Sequence, residues 1–223
     1  MIELIVKVVA SYLLGSLVGG LIVGRIRGGV DIRTLGSGNA GGTNALRTQG
    51  KAFAVWVMII DIGKGIVATL AIAPLPASLL GLTPENGAEA AHLREWLAVA
   101  CGIAAILGHV YPVWFGFRGG KGVATLVGVL FGVSPLLLLV VLLVWLVVVS
   151  VFGFVGLASI LAASSVPVFV AVSGAQPQSP LLAFGIAVTA FVAFTHRSNI
   201  ARMLEGTEPR ARRLWLLGRR RVS

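Results

Sequence analysis

The chain has 223 residues, of which 57% are hydrophobic and 12% are charged, and its mean hydropathy is +0.97. Soluble globular domains carry roughly 25% charged residues, so this composition excludes an ordinary soluble protein and predicts an integral membrane protein. The formal net charge of +10 is confined to a few loops and the tail, without interleaved aromatic residues, and does not indicate a nucleic-acid partner. The single cysteine, Cys101, excludes an internal disulfide framework.

Apolar segments long enough to cross a membrane alternate with polar loops along the chain. In chain order, the predicted spans cover residues 4–24, 52–73, 96–112 and 183–194, and residues 123–173 are nearly uncharged. That stretch is too long for one helix, and its breaks at Ser134-Pro135 and between Gly153 and Gly156 predict three short helices. The expected fold class is an all-α membrane bundle of seven transmembrane helices, with five as the alternative.

The distribution of lysine and arginine predicts the topology. They are dense in residues 25–51, residues 114–122 and the tail from Arg197, and they are absent from residues 75–93 and 173–180. The positive-inside rule therefore predicts that the N-terminus is outside and the C-terminus is cytoplasmic. A single transmembrane domain is expected over residues 1–223, with cytoplasmic segments at residues 25–51, 108–125 and 195–208.

A basic tail follows over residues 209–223. Its apolar residues among arginines are typical of a membrane-surface anchor. They are Leu214, Trp215, Leu216 and Leu217.

The first polar segment contains LGSGNAGGTNALR. Its glycines match GxGxxG, but a dinucleotide site needs a preceding strand, and a predicted membrane span precedes this one. The segment instead suits an anion nest, in which successive backbone N–H groups converge on a phosphate, although a flexible polar loop is the alternative. The nest would comprise Gly36, Gly38 and Gly41 with side-chain donors from Ser37, Asn39, Thr43, Asn44 and Arg47.

The second polar segment is GHVYPVWFGFRGGKGVAT, which lies between two apolar runs. Lys121 follows Gly119 and Gly120, and Arg118 precedes them. Backbone amides at the start of a helix, with cations beside them, suit a phosphate group. A tight turn with interfacial cations is the alternative.

The third polar segment is THRSNIARMLEGTE. His196, Asn199 and Arg202 have the spacing i, i+3, i+6, which predicts one face of a helix, and Glu205 and Glu208 follow. An ordinary charged helix end is the simpler interpretation of this segment alone. It gains significance only if the three segments meet over one anionic site.

Two charges lie inside the second predicted span. Asp61 and Lys64 would each cost roughly 2.5–3.5 kcal/mol at the centre of a membrane helix. At i, i+3 they can pair on one face, which predicts that they face protein. Both a structural pair and a functional role remain open, and His109 alone predicts a packed or interfacial histidine.

In this order the segments resemble the bacterial membrane acyltransferases that transfer an acyl group from acyl phosphate to glycerol 3-phosphate. The match covers nearly the whole chain and rests on GSGNAGGTNALR, DIGK, GHVYPVWFGFRGGKGVAT and HRSNIARMLEGTE. Arg118 stands where the family usually has lysine, an exchange that keeps the charge and changes the contact geometry.

The resemblance implies a seven-helix enzyme of phospholipid biosynthesis, with its active site on the cytoplasmic face of the bacterial inner membrane. It would acylate the 1-hydroxyl of sn-glycerol 3-phosphate with fatty acyl phosphate. The products would be 1-acylglycerol 3-phosphate (lysophosphatidic acid) and phosphate. No cofactor or metal is expected. The resemblance also implies a functional coupling to the enzyme that makes acyl phosphate.

The resemblance and the residue chemistry together assign roles at the site. The expected catalytic residues are Ser37, Arg47, Lys121, His196 and Asn199. The expected substrate-binding residues are Gly36, Gly38, Asn39, Thr43, Asn44, Arg118, Gly119, Gly120 and Arg202. Structural roles are expected for Asp61, Lys64 and Glu208.

Other functions fit the residues less well. Neither His109 nor His196 begins an HxxxxD motif, which argues against thioester-using acyltransferases of that class. The second candidate is a membrane transporter of phosphate or a phosphorylated metabolite, but residues 123–195 are nearly without charge. A CDP-alcohol phosphotransferase would need clustered aspartates, and the chain has only Asp31 and Asp61. The general base is open between His196 and a substrate phosphate.

Overall fold

The computed structural model describes residues 2–80, 88–174, 179–212 and 214–216, and within these it is all-helical. This confirms that the fold is all-α, as expected. In chain order the α-helices are α1 (Ile2–Gly15), α2 (Gly19–Ile26), α3 (Gly42–Gln49), α4 (Lys51–Val67), α5 (Ala88–Val110), α6 (Val123–Val133), α7 (Pro135–Phe152), α8 (Val155–Val172), α9 (Pro180–Thr195) and α10 (Arg197–Leu204). Shorter helical segments are the 3-10 turns Ile32–Thr34, Ala77–Leu80 and Val113–Phe115 and the π-helical turn Ala68–Ile72.

Six segments of the described chain are apolar and long enough to cross a membrane. Four are single segments, namely Lys51–Ile72, Arg94–Phe115, α7 and α8. Two are bent pairs, α1 with α2 at 47° and α9 with α10 at 57°. Helix α6 is apolar but has 11 residues, or about 16 Å at the usual helical rise. A seventh span would have to be α6, so the count of seven stays a prediction, as does the orientation of the termini.

The three helices expected within residues 123–173 are confirmed as α6, α7 and α8. Helix α7 begins after Ser134, whose hydroxyl accepts a hydrogen bond from the N–H of Leu137 at 3.4 Å. It ends at Gly153, which has φ +78° and donates its N–H to the Val149 carbonyl at 2.8 Å. A left-handed residue in this position favours glycine, so the glycine marks this boundary in the sequence.

The first predicted span, residues 4–24, is not one continuous helix but the bent pair α1 and α2. The helix breaks between Gly15 and Gly19, and Val18 has extended backbone. Two groups from α4 satisfy backbone atoms at the break. The Asp61 carboxylate accepts the N–H of Gly19, and the Lys64 ammonium donates to the Leu17 carbonyl, both at 3.0 Å. Backbone groups away from water need such partners.

The chain forms two compact units, residues Met1–Val133 and Ser134–Ser223. In the first, α1 packs on α5, and α4 packs on α2, α3 and α6. In the second, α8 packs between α7 and α9.

The described part of the tail folds back onto the second unit. The Trp215 ring packs against Gly153, at the turn between α7 and α8. The ring is therefore held by protein rather than acting purely as a surface anchor, whereas Leu214 and Leu216 remain exposed. Leu217, expected to be part of the same anchor, lies outside the described residues.

Helices α1 and α5 approach closely because small residues face each other. A Cβ added to Gly15 would stand 2.6 Å from the Ala105 Cα and 2.8 Å from its carbonyl carbon. Small residues allow close approach where lipid removes the hydrophobic drive for association. Gly63 in α4 offers a contrast, since nothing lies within 4 Å of an added Cβ there.

We therefore predict opposite effects for one substitution at two helical glycines. Gly15→Ala should destabilise the protein by about 1–3 kcal/mol, because the methyl group overpacks the contact between α1 and α5. Gly63→Ala should be neutral or stabilise it by up to about 1 kcal/mol through helix propensity. Unfolding in detergent, followed for both variants, would measure the difference. Equal effects at the two positions would contradict this account of the packing.

Candidate active site

The first polar segment is shaped by Asn44, which is buried in the first turn of α3. Its side-chain amide nitrogen donates to the carbonyls of Ile32, Leu35 and Asn39 at 2.9, 3.0 and 2.9 Å. Its amide oxygen accepts the N–H of Ser37 at 2.9 Å. The Asn44 amide therefore holds the loop together, and its expected contact with substrate stays a prediction.

The outer side of this loop carries the other expected donors. Ser37, Thr43 and Arg47 are exposed, and Asn39 is half-buried. Gly36 and Gly38 have φ of +57° and +72°, which favour glycine. Helix α3 begins after Gly41, which has no side chain to cap the first-turn N–H groups. The loop thus presents hydroxyls, a guanidinium and a helix N-terminus together, which suits an anion.

The second polar segment turns back onto the end of α5. The N–H groups of Gly119 and Gly120 donate to the carbonyls of Val110 and His109, each at 3.1 Å. Glycine is required at 119 because an added Cβ would stand 2.8 Å from the Pro112 ring and would meet the His109 carbonyl. Helix α6 then begins at Val123, directly after the glycines of this segment, as expected. Lys121 is half-buried at its start.

Arg33 joins the two segments, a role that no sequence motif predicted. Its guanidinium Nη1 donates to the Phe115 carbonyl at 3.1 Å and to the Arg118 carbonyl at 2.7 Å. Its Nε and Nη2 bind the Asp31 carboxylate at 3.0 and 2.7 Å. The pattern Asp-x-Arg just before the glycine loop could have indicated this role, because a spacing of two residues allows the guanidinium to bind the carboxylate through two nitrogens.

The ion pair of Asp31 and Arg33 persists through the neutral pH range. The hydrogen bond from the Arg33 side chain is the main cause that lowers the pKa of Asp31. A carboxyl group whose pKa is lower in the folded protein stabilises the fold at pH values above its pKa in the unfolded chain, which is about 3.9. This stabilisation is lost as the pH falls through the pKa of the folded state. The pair is therefore intact at neutral pH. Because both side chains are partly exposed, its contribution to stability is modest.

Both segments rest on α2. Ala40 of the first and Phe115 of the second pack against Val18 and Leu21. Gly20 allows the close approach, since an added Cβ would stand 3.1 Å from the Ala40 carbonyl carbon. The first two polar segments thus meet at one end of the first unit, and the meeting of all three over one site stays a prediction.

A buried charged cluster lies behind them. Asp61 Oδ1 is 3.0 Å from Lys64 Nζ and 3.2 Å from His109 Nδ1, and these two nitrogens are 2.9 Å apart. All three side chains are buried. The predicted pairing of Asp61 with Lys64 inside protein is confirmed, and the packed histidine belongs to the same cluster.

The third polar segment forms its own cluster in the second unit. Glu208 accepts from the Asn199 amide and from Arg202 Nε, both at 2.6 Å. His196 lies at the bend before α10, so only Asn199 and Arg202 share the expected helical face. The ring Nδ1 of His196 is 2.9 Å from the Val192 carbonyl. The carboxylate therefore holds two residues that were expected to act on substrate.

Within the described residues, no group of three or more His, Cys, Asp or Glu side chains is arranged to hold a metal ion. The fold and the site instead define an all-helical membrane protein with two joined loops, both glycine-rich and cationic, that suit anionic ligands.

Comparison with known proteins identifies the family within this class. The sequence model described as Glycerol-3-phosphate acyltransferase matches residues 5–206. The glycerol-3-phosphate acyltransferase of Chlorobium phaeobacteroides (strain BS1) is 39% identical over 95% of this chain and 98% of its own. That of Paramagnetospirillum magneticum is 41% identical over 94% of each chain. The chain belongs to the glycerol-3-phosphate acyltransferase family.

Solved structures agree with this assignment. The chain is similar to PlsY (YgiH), an integral membrane glycerol 3-phosphate acyltransferase, solved in a glycerol 3-phosphate form. The TM-score is 0.77 and the identity 38%, over 93% of this chain and 94% of that one. A lysophosphatidic acid form of PlsY gives a TM-score of 0.75. The expected family, the membrane fold and the acyltransferase class are thereby confirmed.

We predict that Arg33→Lys lowers acyltransferase activity at least about tenfold. Arginine places donors on three separate nitrogens, which reach both Asp31 carboxylate oxygens and two carbonyls, whereas the single ammonium of lysine cannot span these four oxygens at once. Losing one charged hydrogen bond costs roughly 1.5–3 kcal/mol. Turnover of purified variants in detergent would be compared with that of Arg27→Lys, an exposed cation in the same segment. Wild-type activity in Arg33→Lys would show that the two loops do not depend on this clamp.

Proposed function

We propose that this protein transfers a fatty acyl group from acyl phosphate to the 1-hydroxyl of sn-glycerol 3-phosphate. The products are 1-acylglycerol 3-phosphate, which is lysophosphatidic acid, and inorganic phosphate. The reaction takes place at the cytoplasmic face of the bacterial inner membrane and serves phospholipid biosynthesis. The enzyme that makes acyl phosphate would act just before it.

The observation that carries the proposal is the pair of anion-suited loops joined by Arg33. One carries exposed Ser37 and Arg47, and the other carries Lys121 beside Gly119 and Gly120. Both substrates of the proposed reaction bear a phosphate, so two adjacent anion sites are what the reaction needs. The names of the similar proteins support glycerol 3-phosphate as the acceptor.

In the proposed mechanism each loop binds the phosphate of one substrate. Gly119, Gly120 and Lys121 hold glycerol 3-phosphate, while Ser37 and Arg47 act on acyl phosphate. The acceptor hydroxyl oxygen attacks the acyl carbon, the bond from that carbon to the phosphate oxygen breaks, and phosphate leaves. Because acyl phosphate is a mixed anhydride with a good leaving group, positioning and charge stabilisation supply most of the catalysis.

The acceptor hydroxyl also loses a proton, and we assign that proton to a substrate phosphate. His196 then binds phosphate rather than acting as the general base. Its Nδ1 lies at hydrogen-bond distance from the Val192 carbonyl. Because a carbonyl can only accept, Nδ1 carries a proton in this contact.

The proposed reaction is tested by the identity of the acyl donor. We expect purified protein in lipid or detergent to acylate radiolabelled glycerol 3-phosphate with palmitoyl phosphate, and not with palmitoyl-CoA or a thioester of acyl carrier protein. Ser37→Ala and Lys121→Ala, if folded, should each lose on the order of 100-fold in turnover, as for the loss of one charge-stabilising donor. EDTA should leave turnover unchanged.

Other outcomes have separate meanings. Product from thioesters alone would keep the acyltransferase and overturn the proposed donor. Absence of product with every donor, from protein that remains folded, would overturn the reaction and favour a transporter of phosphate or of a phosphorylated metabolite.

The role of His196 has its own test. We predict that His196→Gln keeps most of its turnover, with a higher KM, because glutamine preserves polar contacts but is no base. Initial rates against both substrates would give kcat and KM separately. A positioned general base typically contributes 10²–10⁴-fold. Complete loss of kcat with unchanged substrate binding would therefore identify His196 as the base.

A further inference from the structure

We infer that Asp61, Lys64 and His109 form a positioning device for the loop of Gly119, Gly120 and Lys121. They act on glycerol 3-phosphate binding through that loop rather than by touching substrate. The inference rests on the proposed function in one respect, namely that this loop holds the phosphate of glycerol 3-phosphate.

The His109 residue contacts the loop twice. Its carbonyl accepts the Gly120 N–H at 3.1 Å. Its ring lies against the same glycine, since a Cβ added to Gly120 would stand 3.0 Å from the ring Cε1 and would meet Nε2. The tilt of the imidazole therefore limits where the Gly120 backbone can lie, and Lys121 follows directly.

The imidazole is in turn oriented by α4. Lys64 Nζ is surrounded by the Leu17 carbonyl, Asp61 Oδ1 and His109 Nδ1, at 3.0, 3.0 and 2.9 Å. His109 Nδ1 is also 3.2 Å from Asp61 Oδ1, so the ring is held between the lysine and the carboxylate of α4. Removing Lys64 would release the orientation of the ring.

The same cluster also reaches the first loop indirectly. Asp61 accepts the N–H of Gly19, and Lys64 donates to the Leu17 carbonyl, on either side of Val18. Val18 is part of the α2 surface on which Ala40 packs. One buried group of charges therefore sets the position of both loops relative to α4.

Stability alone does not account for this arrangement. Buried ion pairs are often no more stable than apolar residues of similar volume. Among the described residues, Asp61 Oδ2 is buried and has no hydrogen-bond partner, which adds a desolvation cost. A cluster with such a cost, placed directly behind a substrate loop, is consistent with a positioning role.

The chain provides a matched control. Lys7 is also a buried lysine of the first unit, and it also binds one carboxylate and one carbonyl. Its Nζ is 2.5 Å from Glu3 and 2.8 Å from the Ala73 carbonyl. Lys7→Met and Lys64→Met therefore remove equivalent groups, but only Lys64 contacts His109.

The experiment measures equilibrium binding of radiolabelled glycerol 3-phosphate, which needs no acyl donor. In wild type, Lys64→Met, His109→Asn and Lys7→Met, melting temperature would be measured alongside Kd. We expect Kd to rise at least about tenfold in Lys64→Met and His109→Asn. Lys7→Met should lower the melting temperature and keep Kd within about twofold. An unchanged Kd in folded Lys64→Met and His109→Asn would overturn the inference and leave the proposed function intact.

A double-mutant cycle keeps the inference testable if the Lys64 variant does not fold. Gly120→Ala alone should weaken binding at least about tenfold, because its methyl group meets the imidazole. In the His109→Ala background the same change should weaken binding no more than about threefold. Independent effects in the two backgrounds would overturn the inference. A wild-type protein that binds no glycerol 3-phosphate would overturn the proposed function, and this inference with it.

Discussion

The structure of the first unit depends on one constraint: polar groups inside an apolar helical protein must find partners within the protein. The break between α1 and α2 frees backbone groups at Leu17 and Gly19, and the pair of Lys64 and Asp61 binds both. In return, the backbone supplies these two buried charges with a carbonyl and an N–H. Each feature would be costly alone, and together they place α2, which supports the polar loops.

The two loops are built by different means. The first is organised from inside by the Asn44 amide, which binds four backbone groups. The second is folded against the end of α5 through the carbonyls of Val110 and His109. Arg33 then links them by binding carbonyls of the second loop from a position just before the first. Backbone amides, hydroxyls and cations are thereby gathered at one end of the unit.

Two amide side chains of the polar segments bind other parts of the protein instead of remaining exposed. Asn44 and Asn199 both carry donors suited to phosphate, yet Asn44 is committed to its own loop, and Asn199 binds Glu208. Glu208 also binds Arg202. The exposed Ser37, Thr43 and Arg47 are better placed to meet a ligand. A polar residue in a functional motif can therefore serve the motif by shaping it.

Local signals determined much of this protein from the sequence alone. Apolar runs gave the membrane fold, and Ser134-Pro135 and Gly153 marked the ends of α7 because caps and left-handed residues act on neighbouring backbone. The glycine-rich segments indicated the candidate site because their conformations and donors are local properties. The break near Val18, the Arg33 clamp and the addition of His109 to the charged pair needed the tertiary structure. Each depends on partners 42 to 85 residues away, and no local pattern specifies which distant group satisfies a buried charge or a free carbonyl.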